Sequence, residues 1–216
     1  MRAALFDMDR TLVRKETASL YVRYQRSIGE ARRRDSIRVL WWVAQYTLGV
    51  IDAPEVAARA LSTLRGTPAA TLEHRCADFF RQYVESHVCD LGRRAGESHR
   101  ECGDLLAIVT GASAYTTQPL ARLLGISNVV ATELEVDEHG NFTGAFVPPL
   151  CIGVGKVERA RRFADAQGFR LEESTFYSDS FTDLPLLETV RVPVVVNPDL
   201  RLRRVARKRG WRVETW

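Results

Sequence analysis

Lysine is scarce in this chain of 216 residues, because 28 of its 31 basic residues are arginines. The arginines are spread along the whole chain, so the net charge of +4 indicates a general compositional bias and not a nucleic-acid-binding patch. No nucleic-acid partner is therefore expected. With only three lysines present, a lysine in a motif-like context is conspicuous.

The four cysteines lack the spacings that are typical of disulfide frameworks and metal sites. We expect free thiols in a reducing compartment. Because Met1 and Arg2 lead directly into an apolar run, no signal peptide is expected, and the predicted location is cytoplasmic. Repeats and low-complexity linkers are also lacking. An apolar content of 45% and a charged content of 27% are ordinary for one globular domain with an insertion.

Two aspartates follow the first apolar run of the chain. Residues 3–6 are typical of a buried central strand, and Asp7 and Asp9 come directly after it. On an extended backbone this spacing points both carboxylates to the same side, and two like charges that close require a positive partner. A strand that runs into an acidic surface turn would give the same short pattern, so the interpretation depends on residues further along the chain.

Further polar residues come at strand ends or helix starts. A strand over 105–109 is followed by Thr110, Gly111 and Ala112, which offer a hydroxyl and backbone N–H groups to a phosphate. Ser113 can cap the next helix. Gly turns of this kind occur in many strand–helix units, so this segment alone is weak evidence.

Lys156 and a pair of aspartates complete the set. Lys156 begins a predicted helix, while Asp179 and Asp183 frame a loop after a strand over 175–178. A solvated lysine, a helix-capping aspartate and an exposed aspartate would account for each of them separately. Only the order of these residues along the chain indicates one particular kind of site.

The order of elements predicts the fold class. Residues 14–88 read as helices, one of them capped by Thr17, whereas strands and helices alternate from about residue 90. Alternation predicts an α/β fold with a doubly wound parallel sheet and with its site at the strands' carboxyl ends. The division is a core of residues 1–13 and 89–216 and a helical insertion, 14–88. A hairpin is expected over 135–144.

Residues 37–51 form the most apolar stretch of the insertion. Apolar side chains cover most of the predicted helix, so it must be buried or must meet a ligand or a membrane. Gln45 and Thr47 interrupt it, and it is too short to span a bilayer. Burial inside the insertion is the simplest interpretation, and association with a membrane is the alternative.

Taken in order, D-x-D-x-T, strand-T-G, Lys156 and S-D-x-x-x-D resemble the four motifs of the haloacid dehalogenase (HAD) superfamily over nearly the whole chain. The insertion after the first motif, and the hairpin before Lys156, resemble the phosphoserine-phosphatase-like branch (subfamily IB). The resemblance implies a HAD Rossmann-like core with a helical cap. It also implies a Mg²⁺-dependent phosphatase that hydrolyses a small phosphate monoester through an aspartyl-phosphate.

The resemblance also implies a role for each residue. Asp7 would be the nucleophile and Asp9 the acid/base, while Lys156 and Thr110, with Gly111 and Ala112, would hold the phosphoryl group. The implied metal ligands are the Asp7 carboxylate, the Asp9 backbone carbonyl and Asp179, with Asp183 near or through water. Hard oxygen ligands of this kind suit Mg²⁺.

Departures from the branch pattern concern the substrate. The motifs of phosphoserine phosphatases differ from this chain at Thr110-Gly111-Ala112 and at the segment 180–182. The branch also has an arginine that holds the serine carboxylate, and no arginine of this chain matches it, since Arg59 lies near but not at the corresponding position. Glu16 stands where the branch has a glutamate that contacts the substrate amine. We therefore expect phosphorylated amino alcohols in preference to phosphoserine, although Glu16 could simply favour a helix N-terminus by its charge.

Two other functions fit parts of the pattern. A phosphatase for lipid-linked phosphates would use the apolar helix 37–51, and a non-catalytic binding module could retain the fold. The complete acidic set argues against the second, because a chain without catalysis has no need to crowd carboxylates together. The sequence does not indicate the oligomeric state.

Overall fold

The computed structural model describes residues 2–30 and 53–216. The predicted helix 37–51 lies outside the described residues. The strands, in chain order, are β1 (Ala3–Phe6), β2 (Leu105–Ser113), β3 (Asn128–Thr132), β4 (Leu134–Val136), β5 (Phe142–Phe146), β6 (Thr175–Ser178), β7 (Val192–Val196) and β8 (Arg212–Glu214).

The α-helices of the described residues account for most of the remaining chain, with short 3₁₀ turns between some of them. They are α1 (Thr17–Ser27), α2 (Ala53–Leu61), α3 (Ala69–Phe79), α4 (Asp90–Glu101), α5 (Ala114–Leu124), α6 (Val154–Gln167), α7 (Leu184–Thr189) and α8 (Leu200–Arg209).

Six parallel strands form the main sheet in the order β3-β2-β1-β6-β7-β8. The first strand of the chain is central, because Phe6 pairs with Ile108 on one side and with Tyr177 on the other. The chain order reverses at β1, which places a topological switch point where β1 and β6 end side by side. The predicted doubly wound parallel sheet is confirmed.

Alternate residues of β1 point into different cores. Ala4 and Phe6 belong to a cluster that packs under α1, α4 and α5, whereas Ala3 and Leu5 belong to the cluster under α6, α7 and α8. All four side chains are buried. A strand covered on both faces has no polar side, which explains why residues 3–6 read as a continuous apolar run.

The hairpin β4–β5 packs against the helical insertion. Gly66 donates to the Phe142 carbonyl at 2.8 Å, Phe142 donates back to Thr67, and Ala69 donates to Gly140. Leu72 and Cys76 of α3 share a small core with Leu134 and Phe142 of the hairpin. The hairpin is thus continuous with the insertion in space. The division of the chain into residues 1–13 with 89–216 and 14–88 remains our proposal.

Three local expectations need correction. Thr17 is the first residue of α1 and does not cap it, since the N-cap position falls on Glu16, whose side chain caps nothing. β2 does not end at Val109 but continues to Ser113, because a bulge lets Ser113 pair with Thr132. Within the segment 14–88 that reads as helices, the α-helix that begins at Ala69 leaves α-geometry after Phe79 and continues as a π-helical turn over Phe80–Val84. Among the described helices, none is long and apolar enough to cross a membrane.

Gly155, at the start of α6, offers a test of this packing. A Cβ atom there would lie 2.1 Å from the Leu150 carbonyl oxygen, a backbone atom that cannot move aside easily. We expect Gly155→Ala to lower the free energy of unfolding by about 1–3 kcal/mol, as overpacking does elsewhere. Urea denaturation measures this change.

Gly96, in the middle of α4, is the matched control. A Cβ atom there would meet no heavy atom within 4 Å outside its own helix. Gly96→Ala should raise the free energy of unfolding by about 0.5–1 kcal/mol, because alanine loses less backbone entropy in a helix. Equal effects of the two substitutions would contradict the described start of α6.

Candidate active site

The carboxyl ends of β1 and β6 bring the predicted aspartates together. Asp7 follows β1 directly, and its backbone N–H donates to the Tyr177 carbonyl of β6 at 2.9 Å. Asp179 follows β6 in the equivalent position. Both carboxylates are buried, so two negative charges lie out of water at neighbouring strand ends. Such an arrangement is costly without positive partners.

Lys156 is the buried positive partner of Asp7 and Asp183. Its Nζ atom donates to Asp7 Oδ1 at 2.8 Å and to Asp183 Oδ2 at 2.8 Å, and it also lies 2.7 Å from Asp183 Oδ1. Lys156 comes in the first turn of α6, and its side chain is only 4% exposed. Ser178 completes the group, because its hydroxyl donates to Asp183 Oδ2 at 2.7 Å.

Burial and charge act in opposite directions on this lysine. Burial by itself would lower the pKa of Lys156, but the carboxylates of Asp183 and Asp7 together outweigh burial and raise that pKa. The ammonium group therefore stays charged. For Asp7, burial is the largest effect and raises its pKa to about 7, against the opposing attraction of Lys156. Asp183 adds to the rise by repulsion.

Asp9 connects the site to the helical insertion. Its Oδ1 atom accepts the backbone N–H of Thr17 at 3.0 Å, so a carboxylate eight residues upstream satisfies a first-turn donor of α1. Burial raises the pKa of Asp9 to about 6, although the Thr17 hydrogen bond opposes the rise. A carboxyl group with this pKa can exchange a proton near neutral pH.

Arg10 and Asp179 form a second ion pair beside the first. Arg10 Nε lies 3.4 Å from Asp179 Oδ2, and Arg10 Nη1 lies 3.8 Å from Glu16 Oε1. Burial, followed by repulsion from Asp7, raises the pKa of Asp179 to about 8 despite the arginine. The arginine thus compensates the Asp179 charge only in part.

The segment after Val109 lies in strand geometry, at the end of β2. Thr110 is buried, and its hydroxyl oxygen accepts the N–H of Ala112 at 3.2 Å. That N–H is therefore not available to a phosphate in this conformation, contrary to expectation. Gly111 lies close to Ile152, because a Cβ atom at residue 111 would lie 3.0 Å from that side chain, tighter than most Cβ contacts.

The chemistry of the donors suits a divalent cation. Within residues 2–30 and 53–216, no three His, Cys, Asp or Glu side chains converge as a metal-binding group. The predicted direct ligands include only two such side chains, the Asp7 and Asp179 carboxylates, together with the Asp9 backbone carbonyl, and Asp183 is expected near the metal or through water. Both carboxylates are desolvated hard oxygen donors whose charge is only partly compensated. Asp183 differs, because both its oxygens face Lys156.

Two residues of this site, Arg10 and Ser178, have no role among the sequence-based expectations. Arg10 was overlooked because nothing in D-M-D-R-T-L shows that residue 10 takes a left-handed backbone with φ 55°. Ser178 was read as the last residue of a strand, and its hydrogen bond to Asp183 was not foreseen. A serine directly before the aspartate of a strand-end motif was the available signal.

Comparison with known proteins agrees with this geometry. The family described as haloacid dehalogenase-like hydrolase matches residues 4–188. A histidinol-phosphatase from Neisseria meningitidis is 28% identical, over 97% of this chain and 96% of that protein. A phosphoserine phosphatase from Mycobacterium tuberculosis is 32% identical, over 98% of this chain and 70% of that protein.

A solved structure extends the comparison to the fold. A Bordetella pertussis protein of unknown function superposes with a TM-score of 0.90 at 31% identity, over 99% of this chain and 97% of that one. The sheet, the strand-end aspartates and the buried lysine agree with a hydrolase of the doubly wound α/β class. The chain belongs to the haloacid dehalogenase-like hydrolase family, and within it to the phosphoserine-phosphatase-like branch.

The raised carboxyl pKa values predict how stability depends on pH. Asp9, Asp7 and Asp179 move from 3.8 to about 6, 7 and 8, so between about pH 4 and 8 the folded protein binds protons that the unfolded chain releases. In a chelator, the free energy of unfolding should therefore fall as the pH rises through this window. Urea denaturation at pH 5 and pH 8 measures it.

Asp179→Asn should remove part of this fall. At pH 8 in chelator the variant should be more stable than the parent by at least about 1 kcal/mol. This lower limit is smaller than the free energy that corresponds to a pKa shift of one unit. Asp165→Asn, on the exposed side of α6, is the control and should change neither slope nor stability. A variant less stable than the parent at pH 8 would show that the carboxylates are fully compensated.

Proposed function

We propose that this chain is a Mg²⁺-dependent phosphomonoesterase that hydrolyses a small phosphate monoester through an aspartyl-phosphate on Asp7. The observation that carries the proposal is the buried contact of 2.8 Å between Lys156 Nζ and Asp7 Oδ1 at the switch point of the sheet. A carboxylate held there can attack phosphorus, and the neighbouring ammonium can accept the negative charge of the phosphoryl oxygens.

Asp7 would perform the first chemical step. A carboxylate oxygen of Asp7 forms a bond to phosphorus, and the bond from phosphorus to the leaving alcohol oxygen breaks. Lys156 and the Thr110 hydroxyl would hold the phosphoryl oxygens during this transfer. Mg²⁺, held by the Asp7 and Asp179 carboxylates and the Asp9 carbonyl, would reduce repulsion between the nucleophile and the substrate anion.

Asp9 would move the protons. Its carboxyl group, with a pKa of about 6, gives a proton to the leaving oxygen in the first step. It then takes a proton from the water that attacks the aspartyl-phosphate, which regenerates Asp7 and releases inorganic phosphate. Asp183 would have the separate role of holding the Lys156 ammonium in place, with help from Ser178.

The relatives support a small, amine-bearing substrate. One is named for histidinol phosphate and another for phosphoserine, and the alcohol part of each substrate carries an amine. Glu16, at the start of α1, is the acidic group that we assign to such an amine. The lipid-phosphate alternative depends on residues 37–51, which lie outside the described residues, and no described contact favours it.

The proposed function predicts metal-dependent turnover that needs Asp7. The protein should hydrolyse p-nitrophenyl phosphate with Mg²⁺ and lose this activity in EDTA. Asp7→Asn should lower kcat by at least a thousandfold, or about 4 kcal/mol of transition-state stabilisation, because the amide is not a nucleophile. Asp165→Asn, distant on α6, should retain parental activity. Substantial turnover by a verified Asp7→Asn protein would remove the covalent mechanism.

Asp9→Asn separates proton transfer from metal binding. The amide keeps the backbone carbonyl but cannot exchange a proton, so kcat should fall by about 10²–10⁴-fold. Mg²⁺ binding, measured by titration calorimetry, should stay close to that of the parent, whereas Asp179→Ala should lose it. If Asp9→Asn and Asp179→Ala lose Mg²⁺ equally, the proposed division of roles is wrong.

A further inference from the structure

Asp199 follows β7 and contacts two separate parts of the chain. Its Oδ1 atom accepts the backbone N–H groups of Arg201 at 2.8 Å and of Leu202 at 2.9 Å, so this oxygen caps α8. Its Oδ2 atom accepts the backbone N–H of Phe181, in the loop after β6, at 2.6 Å. One oxygen is enough to cap a helix, as serine and threonine show. The second oxygen of Asp199 therefore serves the loop.

Two further contacts fasten this loop, residues 179–183, to the start of α8. The backbone N–H of Asp199 donates to the carbonyl of Asp179 at 3.0 Å. The guanidinium carbon of Arg201 lies 4.1 Å from the centre of the Phe181 ring, a distance typical of a cation–π contact. The main chain of Asp179, a predicted metal ligand, is thus held from the side of β7, a strand that carries none of the proposed catalytic residues.

Asp179 needs such support because repulsion acts on it. Its carboxylate is buried, and the buried carboxylate of Asp7 repels it. A divalent cation requires both carboxylates close together, so the protein must hold Asp179 against this repulsion before the ion arrives. The far end of the loop is held separately, since Asp183 contacts Lys156. The contacts of Asp199 act at the near end, on Asp179 itself and two residues beyond it.

We propose that Asp199 is a positioning residue that keeps the Asp179 carboxylate in place for Mg²⁺, an inference that rests on the proposed function. It acts through the Asp179 carbonyl and the Phe181 N–H and needs no contact of its own with the metal ion. Removal of partners that orient a metal ligand in this way typically weakens metal binding by about 10–100-fold. A residue that only capped α8 would affect the stability of the helix and leave the metal affinity unchanged.

Loss of one N–H group tests the carboxylate contact while the charge of Asp199 stays in place. Phe181 is the first residue of a 3₁₀ turn, where proline is tolerated, and Ser180 before it is extended, with φ −104° and ψ 136°, as a residue before proline prefers. Phe181→Pro therefore removes the N–H, whereas Phe181→Ala keeps it, and both variants lose the ring. In titration calorimetry, Phe181→Pro should bind Mg²⁺ at least about tenfold more weakly than Phe181→Ala.

Asp199→Asn tests the same contact from the other side. The amide oxygen can still cap α8, but the amide nitrogen would face the Phe181 N–H, donor against donor. Mg²⁺ binding should be at least about tenfold weaker than in the parent. Ala206→Gly, further along α8, is the control, because it weakens the helix but removes none of the loop contacts. Its Mg²⁺ affinity should be that of the parent.

Hydrogen exchange in chelator supplies a readout without metal. In Asp199→Asn the N–H of Asp183, which donates to the Ser180 carbonyl and not to Asp199, should exchange at least about tenfold faster than in the parent. The N–H groups of β2 should exchange as in the parent. If Phe181→Pro does not fold, this measurement decides alone.

Equal Mg²⁺ affinity in Phe181→Pro and Phe181→Ala would overturn the inference, and so would unchanged exchange of Asp183 in Asp199→Asn. Weaker Mg²⁺ binding in Asp199→Asn with unchanged exchange would assign the effect to the charge of Asp199 and not to positioning. A parent that binds no Mg²⁺ would instead refute the proposed function.

Discussion

The ammonium group of Lys156 is the charge on which the arrangement of this site depends. It contacts Asp7 and Asp183 in a region from which water is excluded, and without it their carboxylates would face each other without compensation. Losing one partner of a buried ion pair is costly, so Asp7, Lys156 and Asp183 must be present together. The geometry of the sheet makes this possible, because β1 and β6 end side by side and α6 begins opposite them.

Lys156 compensates the negative charge of the buried carboxylates only in part, and the remaining charge explains the other features of the site. Asp7 and Asp179 keep raised pKa values because burial outweighs their positive partners. A site with surplus buried negative charge is suited to a divalent cation, which phosphatases of this family generally use. The same carboxylates that cost stability in the metal-free protein are thus the groups that the proposed chemistry needs.

The helical insertion contacts Asp9, the proposed acid/base, directly. Asp9 accepts the first-turn N–H of Thr17, and Arg10 reaches Glu16 at the same end of α1. The start of the insertion therefore donates a hydrogen bond to the proposed acid/base and forms a long ion pair with an arginine that lies beside Asp179. A change in the position of α1 would therefore alter the surroundings of the proposed acid/base.

Much of the fold could be predicted from the sequence, because strong local signals specify it. The apolar run 3–6 predicted a buried strand, and the strand–helix alternation after residue 90 predicted the doubly wound sheet that the structure confirms. The placement of Asp7, Lys156 and Asp179 at one edge followed from that topology. The details that were wrong depend on tertiary context, as with the bulge that extends β2 to Ser113.

Residues whose position depends on distant partners could not be predicted. Thr17 was expected to cap α1, but its N–H is satisfied by Asp9, which no local pattern indicates. Arg10 resembles any other arginine of an arginine-rich chain until its backbone angle and its contact with Asp179 are known. The roles of Thr110, Glu16 and Asp183 remain predictions, since contacts with a substrate would decide the first two and contacts with a metal ion the third.

The central claim is that Asp7 becomes phosphorylated during turnover, and one measurement tests it directly. The protein is mixed with a phosphate monoester and Mg²⁺, quenched in acid within the first turnovers, digested and analysed by mass spectrometry. We predict that the peptide containing Asp7 gains the mass of one phosphoryl group, located on Asp7, and that the gain disappears after mild alkaline treatment. Rapid turnover without phosphorylation of this peptide at any quench time would contradict the account.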